Sequence, residues 1–202
     1  MIKKESSFLQ LALPLTLVSA FAGLILAVVF SKTVAPIEAA RAQKKQDAIV
    51  NVLPGFDIPN GRIEKTCLYD NDKDSVCVFL AYSDTQLFGA AVETYTHKSF
   101  SGTFTLMVGF DKDGKILQIQ VLQAHETPGL GDNINNEKSN FAQQFIGKSP
   151  ASFKLDVVSH GGDIAAITAA TITSRAYCEA VERAHHAFLT IKEQKETIPH
   201  EE

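Results

Sequence analysis

Between Glu5 and Lys32 the chain carries no charged side chain, and Leu9 to Phe30 is almost wholly apolar. At a rise of about 1.5 Å per residue such a stretch spans the roughly 30 Å hydrocarbon core of a bilayer. A signal-peptide core holds only about 7–15 apolar residues, so the gap predicts a retained transmembrane anchor over residues 1–31. Pro14 lies within it, and membrane helices tolerate proline. Basic residues stand on both sides of the span: Lys3 and Lys4 before it, Lys32, Arg41, Lys44 and Lys45 after it. Charge count alone therefore favours neither orientation. A short basic N-terminus before a first span stays cytoplasmic, and a long following domain translocates largely regardless of its charge. The expectation is an N-terminus inside and the main domain outside.

Other absences narrow the chemistry. The net charge is -4 and no dense Lys/Arg stripe occurs, which argues against a nucleic-acid partner. There is no G-x-S-x-G elbow, no H-E-x-x-H and no P-loop with its lysine, so no residue is assigned as catalytic. No metal site is expected: His125 has no His or Cys at ligand spacing, and His185 and His186 are neighbours that leave a helix in different directions. Acids such as Asp111 and Asp113 fall in turns. Tryptophan is absent beside thirteen phenylalanines, which decides nothing.

Only three cysteines occur. Cys67 and Cys77 flank LYDNDKDSV, and a hairpin centred near Asp72 would set them opposite one another. A bridge there would fit an exported domain; two unpaired thiols on a surface hairpin is the alternative. Cys178 reads as a small buried residue on a helix.

The rest of the chain predicts an α+β domain, a twisted antiparallel sheet packed with helices, after the one N-terminal transmembrane helix. Pro36 to Leu53 reads as a helix stopped by Pro54-Gly55, and FDIPNGR as a linker. Strand-like runs cover 63–69, 76–82, 89–95 and 100–110. In the last, Phe104, Leu106, Val108 and Phe110 share one face, and past the DKDG turn Leu117, Ile119 and Val121 continue the alternation. A short helix is expected over 137–146, ended by Gly147, then a strand at FKLDVVS and a helix from Ile172 to about Lys192. The implied organisation is an anchor over 1–31, a helical stalk and linker over 32–60 and a sheet domain over 61–202.

Two stretches could carry a ligand. ITAATITSRA, Ile167 to Ala176, gathers Thr168, Thr171, Thr173 and Ser174 at a helix start, just after Gly161-Gly162. Free N–H groups and the positive helix end would suit an anion, with Arg175 adding charge if it reaches back. The plainer reading is that Thr171 or Thr173 is only an N-cap. HETPGLGD is a loop in which Pro128 stiffens the backbone while Gly129 and Gly131 let it approach a flat ligand. Glu126 and Thr127 could bond a ring edge, although an ordinary glycine turn explains the loop equally.

Together, in this order, ETPGLG and ITAATITSRA resemble the FMN-binding domain of the G subunit of the Rnf electron-transport complex. They are similar also to the C subunit of the sodium-pumping NADH:quinone reductase. The resemblance covers most of the chain. It implies FMN esterified through its phosphate to Thr171, with Thr168, Ala169, Ala170, Thr173 and Ser174 around the phosphate. It places Glu126, Thr127, Pro128, Gly129, Leu130 and Gly131 near the isoalloxazine ring. It further implies a bacterial cytoplasmic-membrane protein with an extracytoplasmic domain, passing electrons within a complex coupled to ion translocation. Its partners would be the other membrane subunits and a separate flavin transferase, since a threonine hydroxyl without a base is a poor nucleophile. The family pattern runs Asp, two residues, Ser/Thr, Gly, Ala, Thr. Here Ala165 stands for the Asp and Ala169 for the Gly, with Asp163 two residues earlier. Alanine is a modest change at 169 if φ is negative there and a damaging one if it is not. The alternative reading is a membrane-tethered binding or assembly module of such a complex without covalent flavin. A hydrolase using Thr171 or Ser174 would lack any partner for a base.

Overall fold

A computed structural model describes residues 8–56, 60–70, 74–83 and 85–197. The basic pair Lys3-Lys4, the middle of the FDIPNGR linker and the turn at Asp72 lie outside the described residues. The chain divides into two compact units, Met1–Lys44 and Lys45–Glu202.

Helix α1, Phe8–Val52, makes up the described part of the first unit and supplies the first residues of the second, and it runs unbroken through Pro14 and Pro36. It is long and apolar enough to cross a membrane, its mean hydropathy reaching 2.4. Three of its hydroxyls bond back to the helix's own carbonyls. Thr16 Oγ1 donates to the Leu13 carbonyl at 2.9 Å, Ser31 Oγ to Val28 at 2.9 Å and Thr33 Oγ1 to Val29 at 2.9 Å. Such back-bonding leaves little polar surface for lipid to solvate.

The second unit is an α+β sandwich. Five antiparallel strands follow one another in a meander: β1 Gly61–Asp70, β2 Asp74–Ser83, β3 Gln86–Ser99, β4 Gly102–Asp111 and β5 Ile116–Gln123. Alternation sorts their side chains. One face carries Val76, Val78, Leu80, Ala90, Val92, Phe104, Leu106, Val108 and Phe110, all buried against helix α2, Thr171–Thr197. The other face carries Cys77, Phe79, Ala81, Ala91 and Met107, covered by Ala48, Val52 and Leu53 from the end of α1. A Cβ on Gly109 would lie 1.8 Å from the Val52 carbonyl oxygen, so glycine permits that close approach.

Three details depart from the expectations above. Leu117 does not share a face with Ile119 and Val121. The register shifts so that Phe110 faces Ile116 while Gly109 faces Gln118, and Leu117 turns to the α1 side. The 137–146 segment holds only a short 3-10 turn, Phe141–Gln144. FKLDVVS forms no strand beyond one parallel bridge from Val157 to Ile164. Cys67 and Cys77, opposite in register, are bonded to each other, and Cys178 is buried, its thiol pushed up to about 12 chiefly by burial.

Candidate functional site

Helix α2 begins at Thr171, so its N-cap position falls on Ala170 and no hydroxyl caps it. Ahead of it Ala170 N–H donates to the Ile167 carbonyl at 3.0 Å, closing a turn in which Ala169 takes a φ of 59°. That left-handed conformation is where an alanine is strained by about 1–2 kcal/mol relative to the ordinary helical region, and where glycine is at ease. The first helical bond at this end runs from Ser174 N–H to the Ala170 carbonyl at 2.9 Å. The N–H groups of Thr171, Ile172 and Thr173 therefore precede the helical ladder and mark its positive end.

The four hydroxyls separate once the helix turn sets their directions. Ser174 is fully buried. Its Oγ accepts from Ile167 N–H at 3.0 Å and donates to the Ala170 carbonyl at 3.0 Å, knitting the turn to the helix. Thr173 is buried and donates to Glu126 Oε2 at 3.1 Å. Thr168 is exposed on the turn. Thr171 is half-buried and lines a cavity.

That cavity holds about 360 Å³ and is lined by residues of both stretches: Glu126, Thr127, Leu130 and Gly131 on one side, Ala169 to Thr173 on the other, with Phe100 added from the β3–β4 turn. Three exposed apolar side chains, Phe100, Leu130 and Ile172, stand around it. Glu126 is buried at its base. Its Oε1 accepts from Ser101 N–H at 3.3 Å and from the Ser99 hydroxyl, and its Oε2 accepts from Thr173. A Cβ on Gly131 would lie 2.3 Å from Glu126 Oε2, so this glycine lets the loop close over the carboxylate. Gly129, at φ 75°, forms the exposed turn with Pro128 outside the lining.

Other residues named from the sequence lie elsewhere. Gly161 and Gly162 do not cradle the cavity. Gly161 takes a φ of 80°, and a Cβ on Gly162 would meet the Asp156 carbonyl at 1.9 Å, so the pair serves a tight local turn. Arg175 turns away to Asp156, 3.5 Å distant. Asp163 is held in the same turn, Oδ2 accepting from Lys154 N–H at 2.9 Å. Ala165 is exposed, with its N–H and carbonyl both bonded by the Gln144 amide at 2.9 and 3.1 Å. His125 is exposed beside Gln123. His185 packs on Phe110, and burial, then the charge of His186, holds its pKa below the usual range. Among the described residues no group of His, Cys, Asp and Glu could hold a metal ion. A larger cleft of about 660 Å³ beside Pro54, Phe88 and Asp113 contains none of the motif residues.

Comparison with known proteins bears on the same residues. The FMN-binding domain family matches residues 99–186, which begins just before Phe100 and includes both cavity-forming stretches. The G subunit of the ion-translocating oxidoreductase complex of Salmonella typhi is 36% identical over 166 residues, covering 78% of this chain and 80% of that one. The corresponding G subunits of Aliivibrio fischeri and Haemophilus influenzae are 30% and 31% identical, each over about four-fifths of both chains. The chain belongs to the G-subunit family of the ion-translocating oxidoreductase complex.

FMN is the cofactor of this family member. The cavity suits it on physical grounds. Its volume lies within the roughly 300–1,000 Å³ of small-molecule sites. Phe100, Leu130 and Ile172 offer apolar surface to a flat ring, and the α2 N-terminus offers N–H groups to a phosphate. Sequence reasoning missed Phe100 and Ile172 as lining residues and Ser99 and Ser101 as partners of Glu126. The signal available was SFSG, a turn-like tetrapeptide with a phenylalanine at its tip and Gly102 at φ 103°.

Proposed function

We propose that this chain is a single-pass membrane electron carrier whose FMN is bonded through its phosphate to the Thr171 hydroxyl, working beside the other subunits of an ion-translocating complex. The observation that carries the covalent assignment is the separation of the hydroxyls. Ser174 is engaged twice inside the turn, Thr173 is committed to Glu126, and Thr168 lies outside the cavity. Of the four, Thr171 remains, on the cavity wall and, unlike the lining Thr127, at the helix N-terminus, where the dipole favours a phosphate.

When bound, FMN supplies the ability to accept and release electrons; the chain's side chains make no bond to a substrate. Their work is placement. Thr171 and the first N–H groups of α2 hold the phosphate end. Phe100, Leu130 and Ile172 limit water at the ring, and Glu126 fixes the loop and helix edges relative to each other. A phosphoester keeps the cofactor from being lost by diffusion outside the cytoplasm, which is the benefit of a covalent bond at this site. A separate flavin transferase makes that bond, since no base in the cavity contacts Thr171 among the described residues. The N-terminus lies in the cytoplasm and the sheet domain outside it. The Cys67–Cys77 bond supports that orientation, because disulfides persist in oxidising compartments. The boundaries proposed are an anchor over 1–31, a helical stalk and linker over 32–60, whose turns from Lys45 onward pack on the sheet, and the FMN domain over 61–202.

The test is denaturing electrophoresis and intact mass of protein from cells that carry the transferase. A fluorescent band and one FMN adduct are expected for wild type, and neither for Thr171→Ala. A dark wild-type band sinks covalent attachment, and an adduct that survives the substitution moves it to another residue.

A further inference from the structure

Glu126 is the charged side chain that lines the cavity, and its surroundings are built for a carboxylate. It is buried, and its oxygens receive Ser101 N–H, the Thr173 hydroxyl and the Ser99 hydroxyl, whose proton is shared with the Gly102 carbonyl 2.7 Å away. An ionised carboxylate accepts such donors and offers about four lone-pair sites, so acceptor capacity is left over. No cation forms an ion pair with it among the described residues. Lys98, beside the Ser99 turn, is held by Glu179 at 2.9 Å, and Arg175, on the first turn of α2, by Asp156 at 3.5 Å. A negative charge without a counter-cation, in a site walled by apolar side chains, acts on neighbouring charge far more strongly than it would in water.

We propose that Glu126 sets the reduction potential of the flavin: its uncompensated carboxylate at the base of the cavity disfavours negative charge gained by the ring and holds the potential down. This rests on the cavity being the FMN site. A flavin that takes two electrons and one proton gains one net negative charge, and the same two electrons are returned when it is oxidised. Charge at position 126 opposes the first direction and assists the second, so the carboxylate makes the reduced carrier a stronger donor. Thr173 moderates the effect by donating to Oε2. Glu126 thus has a role separate from the architectural one of joining loop to helix, because changing its charge and changing its hydrogen bonding move the potential in opposite directions.

The experiment uses the full-length chain in detergent, loaded in cells that carry the transferase. The flavin is titrated with dithionite, which supplies two electrons and is oxidised to sulfite, against a reference dye, following the flavin's visible absorbance. Glu126→Gln, which keeps size and polarity but removes the charge, shifts the equilibrium at least tenfold towards reduced flavin, about 30 mV for a two-electron couple. Thr173→Val, which keeps the charge and removes its donor, shifts the potential the other way. Potentials that stay at the wild-type value, or both move in one direction, overturn the proposal while leaving the cofactor site standing. Wild-type protein free of flavin overturns the site itself and the proposal with it. Should Glu126→Gln not retain flavin, the direction of Thr173→Val decides: a lower potential supports the role and any other value refutes it.

Discussion

One backbone angle ties the departure at position 169 to a measurable quantity. Ala169 holds φ at 59°, so the turn that presents Thr171 keeps a left-handed residue although no glycine is there. Strain of about 1–2 kcal/mol is relieved by glycine, against roughly 0.4–1 kcal/mol for the greater freedom glycine gives the unfolded chain. Ala169→Gly therefore raises stability by about 0.5–1 kcal/mol in urea unfolding, and a loss of stability would show that the angle is not strained. The hydroxyls were legible as a cluster but not as individuals. Spacing places Thr171, Thr173 and Ser174 in one turn; only the roughly 100° advance per residue and the position of Glu126 send Thr173 inward and leave Thr171 on the wall. The backbone of Ala165 is tied to the side-chain amide of Gln144, twenty-one residues away, a pairing that no local pattern announces.

At the scale of elements, strands were read well wherever one face met α2, because burial on one side enforces alternation through Phe104, Leu106, Val108 and Phe110. Reading failed where side chains replace ladder bonds. In and just before the 137–146 region Asn136 donates to the Ile119 carbonyl, Ser139 to the Asn133 carbonyl and Gln144 to that of Ala165, so side-chain bonds to backbone outside the segment hold it in place of a regular helix. In FKLDVVS the chain folds back on Asp163 and Ile164 and enters a short 3-10 turn at Val158–His160, with Val157 buried and Val158 exposed, a pattern that composition does not distinguish from a strand. Strand β1 depends on other means. It pairs with β2 alone, and the Cys67–Cys77 bond closes a loop with a sequence separation of 10. Such a loop is worth roughly 2–3 kcal/mol on the chain-entropy account. Cys67→Ala with Cys77→Ala lowers urea stability by about that amount and speeds amide exchange in β1. The flavin is retained, since the cavity draws on the β3–β4 turn, the 126–131 loop and α2. Loss of flavin together with the bridge would mean that β1 supports the site.

For the whole molecule the question is where the membrane segment ends and the domain begins. The helix is continuous, yet its last turns belong to the second compact unit: Ala48, Val52 and Leu53 are buried on the sheet face that carries Phe79 and Met107. Lys45 pairs with Glu93, and Asn51 lies 3.3 Å from the Gln120 side chain, so polar contacts on the same turns repeat the apolar fit. Full burial of a Val or Leu side chain contributes about 1.5–3 kcal/mol. Val52 and Leu53 together thus supply roughly 3–6 kcal/mol, a large part of the roughly 5–15 kcal/mol by which a domain of this kind is stable. Two truncations separate the roles of the helix. A chain starting at Lys45 loses the hydrophobic span but keeps the covered face, so it is soluble, monomeric on size exclusion and thermally cooperative. A chain starting at Pro54 exposes Phe79, Ala81, Ala91 and Met107 as one apolar patch, and it aggregates or melts well below the longer form. Equal behaviour of the two would show that the last turns of α1 are a stalk alone. The expected difference makes them part of the domain's core, built from the same helix that the sequence presents as its anchor.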